Sequence, residues 1–248
     1  LGSSNSIACT NIMLNAAVAE SLKIYADRLE NAEDFETALH DMIKKTIKDH
    51  KRIIFNGNGY DDSWIKEATE KRGLLNLRTT PDALPKILDK KNVEMLTSLK
   101  VFTEAEIRSR YEITLENYCK TVNIEALTMV DMTKKEILPA IESYIKELSK
   151  TASLKVEAVP GLTSKYESET ISRLSLLSDE IYTAVCDLEK SLIELKTASD
   201  ITEESVMIRD VILNKMAALR VPCDEAETLT AEKYWPFPTY GELLFGVK

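Results

Sequence analysis

The sequence predicts a mainly all-α protein: a helical bundle with a long antiparallel helical hairpin or three-stranded coiled coil, and at most a short strand near residues 53–55. Three observations carry that reading. Apolar residues recur every three or four positions along most of the chain, the spacing that lines one face of a 3.6-residue helix. Only seven glycines occur in 248 residues, while Leu, Ile, Ala, Glu and Lys abound, a balance that favours long helices over sheets with many turns. Capping residues stand where the periodic runs begin.

The first helix is expected from about Asn11 to Asn31, with Ile12, Ala16, Ala19, Leu22, Ala26 and Leu29 on one face. A second follows from about Glu33 to Lys51, its stripe formed by Phe35, Leu39, Met42, Ile43 and Ile47. Ile53-Ile54-Phe55 is a β-favouring run, and Asn56-Gly57-Asn58-Gly59 is a turn signal. Asp61 or Asp62 caps a short helix over about Trp64 to Lys71, ended by Gly73. Thr80-Pro81 reads as an N-cap followed by Pro at the first helical position.

From Thr103 the elements lengthen. Thr103-Glu104-Ala105-Glu106 is a capping box, and the helix it opens reaches to about Lys150, bent at Pro139 because proline lacks the N–H and clashes one turn back. Val159-Pro160-Gly161 is a loop, and Ser164 to Glu167 forms a second capping box. Leu174, Leu177, Ile181, Val185, Leu188, Leu192 and Leu195 then alternate at three and four, the spacing of a coiled-coil seam. After a cap-like break at Asp200 to Glu203, a third helix carries Ile208, Ile212, Met216 and Leu219. Pro222 kinks or ends it, with Asp224 to Glu232 able to resume. The tail, Tyr234-Trp235-Pro236-Phe237-Pro238-Thr239-Tyr240, is too aromatic to remain in water and should dock on a groove.

A formal net charge of −9 argues against a nucleic-acid surface, since neutralising phosphates requires a basic face. Cys9, Cys119, Cys186 and Cys223 are scattered with no Cys-x-x-Cys spacing, which points to free thiols in a reducing compartment. No run approaches the ~20 apolar residues of a membrane span, and the N-terminus has no basic segment followed by an apolar one.

Residues with chemistry are sparse. His40 and His50, the two histidines, read as solvated side chains on a charged helix. No His-x-x-x-His or clustered acidic loop offers a metal site. Glu104 with Glu106, and Glu203 with Glu204, fit favourable charge in a helix's first turn. The Asn56–Gly59 segment is the best candidate for a phosphate cradle, but it lacks the P-loop's Gly-Lys-Ser/Thr and a third Rossmann glycine, so a plain turn is preferred. Arg72, Arg108 and Arg110 are expected as salt-bridge partners rather than an anion clamp. The residues therefore nominate no catalytic, cofactor-binding or metal-binding side chain, and describe a packing or assembly module.

Several segments together resemble the type III glutamine synthetases. They are Leu1-Gly2-Ser3-Ser4 with Ser6-Ile7-Ala8 and Asn11; Arg52-Ile53-Ile54-Phe55-Asn56-Gly57-Asn58-Gly59-Tyr60; and Arg72-Gly73-Leu74-Leu75-Asn76-Leu77 leading into Thr79-Thr80-Pro81-Asp82-Ala83-Leu84-Pro85. Further on come Phe102-Thr103-Glu104 with Ser109-Arg110-Tyr111-Glu112, then Asn123-Ile124-Glu125-Ala126-Leu127-Thr128-Met129-Val130-Asp131-Met132, then Glu232-Lys233-Tyr234-Trp235-Pro236-Phe237-Pro238-Thr239-Tyr240. The Leu-Gly-Ser-Ser start belongs to the family pattern, which tells against an expression scar. Cys9-Thr10 and Pro222-Cys223 depart from the pattern.

The resemblance implies the C-terminal part of a cytoplasmic enzyme that joins ammonia to glutamate with ATP and Mg or Mn, whose metal ligands and arginines come from an upstream β-rich core. In the family the last catalytic arginine lies just before the position of Leu1. Residues 1–55 would be the closing helices of the catalytic domain, 56–102 a connector of short helices and loops, 103–233 the long-helix bundle and 234–248 an aromatic docking tail. The implied partners are the upstream catalytic domain of the same polypeptide and further copies in a homo-oligomer, with no nucleic acid or membrane. On this reading the portion serves packing and oligomer assembly and is inactive alone. A free-standing helical adaptor or regulator without ligase activity is the alternative, and nucleotide binding at the Asn-Gly turn a third.

Overall fold

The computed structural model describes residues 6–246. The family-like Leu1-Gly2-Ser3-Ser4 and the last two residues of the aromatic tail lie outside the described residues. Among the described residues every regular element is a helix and there is no strand. The chain divides into two compact units, one up to Thr114 and one from Leu115, a division that falls inside a continuous helix.

In the first unit, α1 (Ala8–Leu29) and α2 (Phe35–His50) are followed by short pieces. Asp34 begins α2, accepting from the Thr37 N–H at 3.2 Å and the Thr37 hydroxyl at 2.7 Å. The Ile53–Phe55 run is not a strand. Lys51–Ile53 form a 3-10 turn and Ile54 after it is extended. A strand needs a pairing partner for its backbone groups, and here the Arg72 guanidinium fills that role instead, donating to the carbonyls of Arg52 at 3.2 Å and Ile54 at 2.8 Å.

Next, α3 (Asp62–Lys66) starts at Asp61, which accepts from the Ser63 N–H at 2.8 Å. It continues as a π-helical turn, Glu67–Lys71. Gly73 then takes a φ of +63°, and the Leu74 N–H closes back onto the Ala68 carbonyl at 2.9 Å. A left-handed glycine after the last turn is the usual way to satisfy those carbonyls. The N-cap of α4 (Thr80–Ala83) is Thr79, one residue earlier than the sequence suggests, and its hydroxyl donates to Asp82 rather than capping. A 3-10 turn, Leu84–Leu88, leads into α5 (Lys90–Ser98). The core of this unit is small: Ala16, Leu96 and Ile107, with neighbours such as Met13, Val93 and Phe102 packed against them.

The capping box at Thr103 opens α6 (Glu104–Met132): the Thr103 N–H donates to the Glu106 carboxylate at 2.8 Å, and the Glu106 N–H to the Thr103 hydroxyl at 3.3 Å. A π-helical turn, Thr133–Ile137, joins α6 to α7 (Leu138–Ala158). The wide turn immediately precedes Pro139, and the Leu138 N–H reaches the Thr133 carbonyl. One extra residue there gives the proline ring room that a regular turn denies it.

In the second unit, α8 (Lys165–Leu195) packs on α7 and on the last long helix. Its start fits the sequence, but its cap does not. Ser164 makes no capping bond, and Glu167, the other half of the expected box, is buried and paired with Lys155 of α7. After α9 (Ile201–Met207), begun by Asp200 accepting from the N–H groups of Thr202 and Glu203, a π-helical turn, Ile208–Ile212, leads into α10 (Leu213–Leu229). Pro222 does not end α10. It is buried between Leu219 and Ala226, so packing offsets the missing hydrogen bond.

Cross-helix pairs give the directions. Lys155 meets Glu167 and Lys134 meets Glu189, so α7 and the turn before it run antiparallel to α8. Arg173 meets Glu225 and Lys215 meets Asp187, so α10 is antiparallel to α8 as well. All seven residues of the predicted seam, Leu174 to Leu195, are buried in the cluster between these helices. Tyr234, Trp235 and Phe237 pack against the same cluster. Thr239 and Glu242 form a capping box on α11 (Tyr240–Phe245), whose Tyr240, Leu243, Leu244 and Phe245 stay exposed.

Candidate functional site

The residues with most chemical potential are absorbed into structure. Phe55 and Trp64 stack at 3.7 Å between ring centroids, and the Arg72 guanidinium lies over the Trp64 ring at 4.8 Å. The same guanidinium binds the Glu67 carboxylate at 2.8 and 2.6 Å besides the two backbone carbonyls. Its donors therefore knit the 52–72 segment together. Gly57 wraps over the Phe55 ring, where a Cβ would come within 2.7 Å of the ring edge. That close approach explains the glycine without a phosphate. Arg108 pairs with Glu104, and Arg110 lies over the Phe102 ring at 4.4 Å, so the three arginines do not converge.

His40 and His50 are both exposed on α2. All four cysteines are free thiols. Burial pushes the Cys119 and Cys223 thiols up to about 11, which keeps them neutral and unreactive near pH 7. The carboxyls of Asp34 and Asp61 sit below the ordinary range because each accepts hydrogen bonds, from Thr37 and from Ser63. Glu106 and Glu203 are lowered in the same way, by Thr103 and Ser199. All four belong to helix starts. Among the described residues no group of three or more His, Cys, Asp or Glu side chains is placed to hold a metal ion. Among them, too, no helix is long and apolar enough to cross a membrane.

What the first unit does present is apolar surface. On α1, Leu14, Val18 and Leu22 repeat every fourth residue and are 62%, 58% and 61% exposed. On α2, Phe35, Ile43 and Ile47 are also exposed, and no residue of that helix is buried. Sequence periodicity places the α2 residues on a core-facing stripe. The structure half-buries Leu39 and Met42 of that stripe and leaves Phe35, Ile43 and Ile47 exposed. Isolated apolar side chains are ordinary on a surface, but aligned stripes of large ones mark a face that another surface covers.

Comparison with known proteins gives this face its context. A family model described as the glutamine synthetase C-terminal domain matches residues 38–156. A glutamine synthetase of Butyrivibrio fibrisolvens is 36% identical over 218 residues, covering 88% of this chain. The chain belongs to the glutamine synthetase family. A type-3 glutamine synthetase of Dictyostelium discoideum is 30% identical over 252 residues, 99% of the chain, and a glutamine synthetase of Bacteroides fragilis (strain YCH46) is 28% identical over 98% of it. The chain spans 31% to 34% of the length of these relatives. The glutamine synthetase domain match begins in α2 and ends in α7, so it takes in the Arg72 platform and the Pro139 turn.

Proposed function

We propose that this chain is the C-terminal portion of a cytoplasmic glutamine synthetase, and that it contributes packing and subunit assembly to the enzyme rather than its chemistry. The observation that carries the reading is the pair of uncovered apolar stripes on α1 and α2. In relatives about three times as long, the remainder of the polypeptide is available to cover them. The ligation of ammonia to glutamate, the ATP it consumes and the Mg or Mn it employs belong to that remainder. Among the described residues no cluster of His, Cys, Asp or Glu side chains fits a divalent metal.

A split enzyme tests this. The 248-residue chain and the preceding portion of the longer protein are produced as separate polypeptides and mixed. Glutamine-forming activity and a large assembly should appear only in the mixture, and Phe35→Glu with Ile43→Glu should abolish both while leaving the chain's helical circular dichroism intact. Turnover by the chain alone would overturn the reading. So would assembly that is indifferent to the two charged substitutions.

A further inference from the structure

We propose that α11 is a docking arm for a second copy of this chain, seated there in the groove between α6 and α8. The assembly role proposed above, on which this rests, thereby gains a surface and a partner. Arm and groove both belong to the second unit.

The arm is folded but uncovered. Thr239 and Glu242 close a capping box at its start, so its own residues specify the helix. Tyr240, Leu243 and Leu244 stand at i, i+3 and i+4, on one face, and are 77%, 69% and 58% exposed. The groove has a volume of about 490 Å³. It is lined by Val130 and Leu192, which are buried, and by Leu127 and Ile193, which are exposed.

Charge favours the match. Between Pro238 and Gly246 the one charged side chain is Glu242. Lys190 and Lys196 line the groove against Glu189, and Glu189 is already held by Lys134. Lys190 approaches Asp187 no closer than 3.8 Å. An acidic arm thus meets a basic rim on a chain whose net charge is −9.

The tether keeps the arm from this groove on its own copy. Trp235 and Phe237 are anchored in a cleft that includes Met129 and Met132. At about 100° per residue, those two lie on the opposite side of α6 from Asn123, Leu127 and Val130, which line the groove. Pro238 and Thr239, between the anchor and α11, span about 7 Å, less than the roughly 10 Å thickness of a helix. The occupant is therefore the arm of another copy. One arm covers on the order of 400 Å² with its apolar face. Two arms exchanged about a two-fold axis, with the two grooves they fill, bury on the order of 1,600 Å², the size of a stable specific interface.

The test uses the 248-residue chain carrying Phe35→Glu and Ile43→Glu, so that the α2 stripe does not associate. Sedimentation equilibrium should show dimers with a Kd in the micromolar range or tighter. Leu243→Glu with Leu244→Glu in the arm, or Leu127→Glu with Ile193→Glu in the groove, should each weaken dimers at least about tenfold. Mixing the two variants should restore one of the two contacts and give heterodimers. In a separate chain, Leu243→Cys should link under mild oxidation to Cys186, which lines the groove, and digestion of mixed ¹⁴N and ¹⁵N chains should give linked peptides of mixed label. That substitution replaces an exposed residue and leaves the core untouched. Linkage chiefly within one chain would overturn the proposal, as would linkage to Cys9, which lines a groove of the first unit. A chain that stays monomeric while the split enzyme regains activity would sink the arm and leave the reading of α1 and α2 standing. Dimers linked at Cys186 without recovered activity would do the reverse.

Discussion

Glu167 shows how one side chain can be spaced as a cap and used as something else. It stands three residues after Ser164, yet the residue is 3% exposed and its carboxylate is held by Lys155 across the α7–α8 hairpin. The Lys155 hydrogen bond, followed by the Glu167 backbone N–H, lowers its pKa from the ordinary 4.5. Glu225 is lowered in the same sense by Arg173, which it meets at 2.6 Å through two bonds. A carboxyl that binds its proton less readily folded than unfolded stabilises the fold above the unfolded pKa. That contribution drains away as pH falls through the lower, folded value. Stability measured by urea unfolding should therefore be level near neutrality and decline below about pH 4.5. Glu167→Gln should lower the urea midpoint at pH 7, flatten that decline, and approach the unsubstituted chain near pH 3. A variant whose pH profile runs parallel to the original would show that the pair contributes nothing of this kind.

At the scale of elements, the two cap-like motifs make opposite predictions. Thr103 and Glu106 exchange both bonds of a capping box, so Thr103→Ala should cost about 1 kcal/mol of stability. Ser164 makes no capping bond, so Ser164→Ala should fall within about 0.5 kcal/mol of the unsubstituted chain. Urea midpoints of the two variants decide the matter, and equal costs would remove the distinction. The same contrast explains what was legible in the sequence. Starts at Asp61, Thr103 and Asp200 follow from side chains reaching their own backbone, and α8's buried stripe from an unbroken 3–4 alternation. These signals are local. For a candidate site the sequence nominated no ligand set, and Arg72, Arg108 and Arg110 each engage separate partners. The rest depends on partners that sequence spacing does not name. Ile53–Phe55 has strand propensity, but Arg72 takes up the Ile54 carbonyl, and α2 has a regular apolar stripe of which Phe35, Ile43 and Ile47 stay exposed.

For the whole molecule, the two units differ most in how much they bury. Among the described residues the cluster of the second unit has twenty buried members, and that of the first has three. Opening free energies within one protein range from near zero up to the global value, and they follow the density of buried apolar contacts. Amide hydrogen exchange should therefore be slower in α8 and α10 than in α1 and α2 by roughly two orders of magnitude or more. The difference should also depend on context. Covering a Leu, Ile or Phe side chain fully is worth about 1.5–3 kcal/mol, and six such residues or their near equivalents line the exposed stripes of α1 and α2. Within the longer protein, exchange in those two helices should slow sharply while α8, whose stripe from Leu174 to Leu195 is already buried, changes little. If α1 and α2 exchanged equally fast in both settings, their stripes would not be the face that the remainder of the enzyme covers. The assembly role would then have to rest on α11, which exposes Tyr240, Leu243, Leu244 and Phe245.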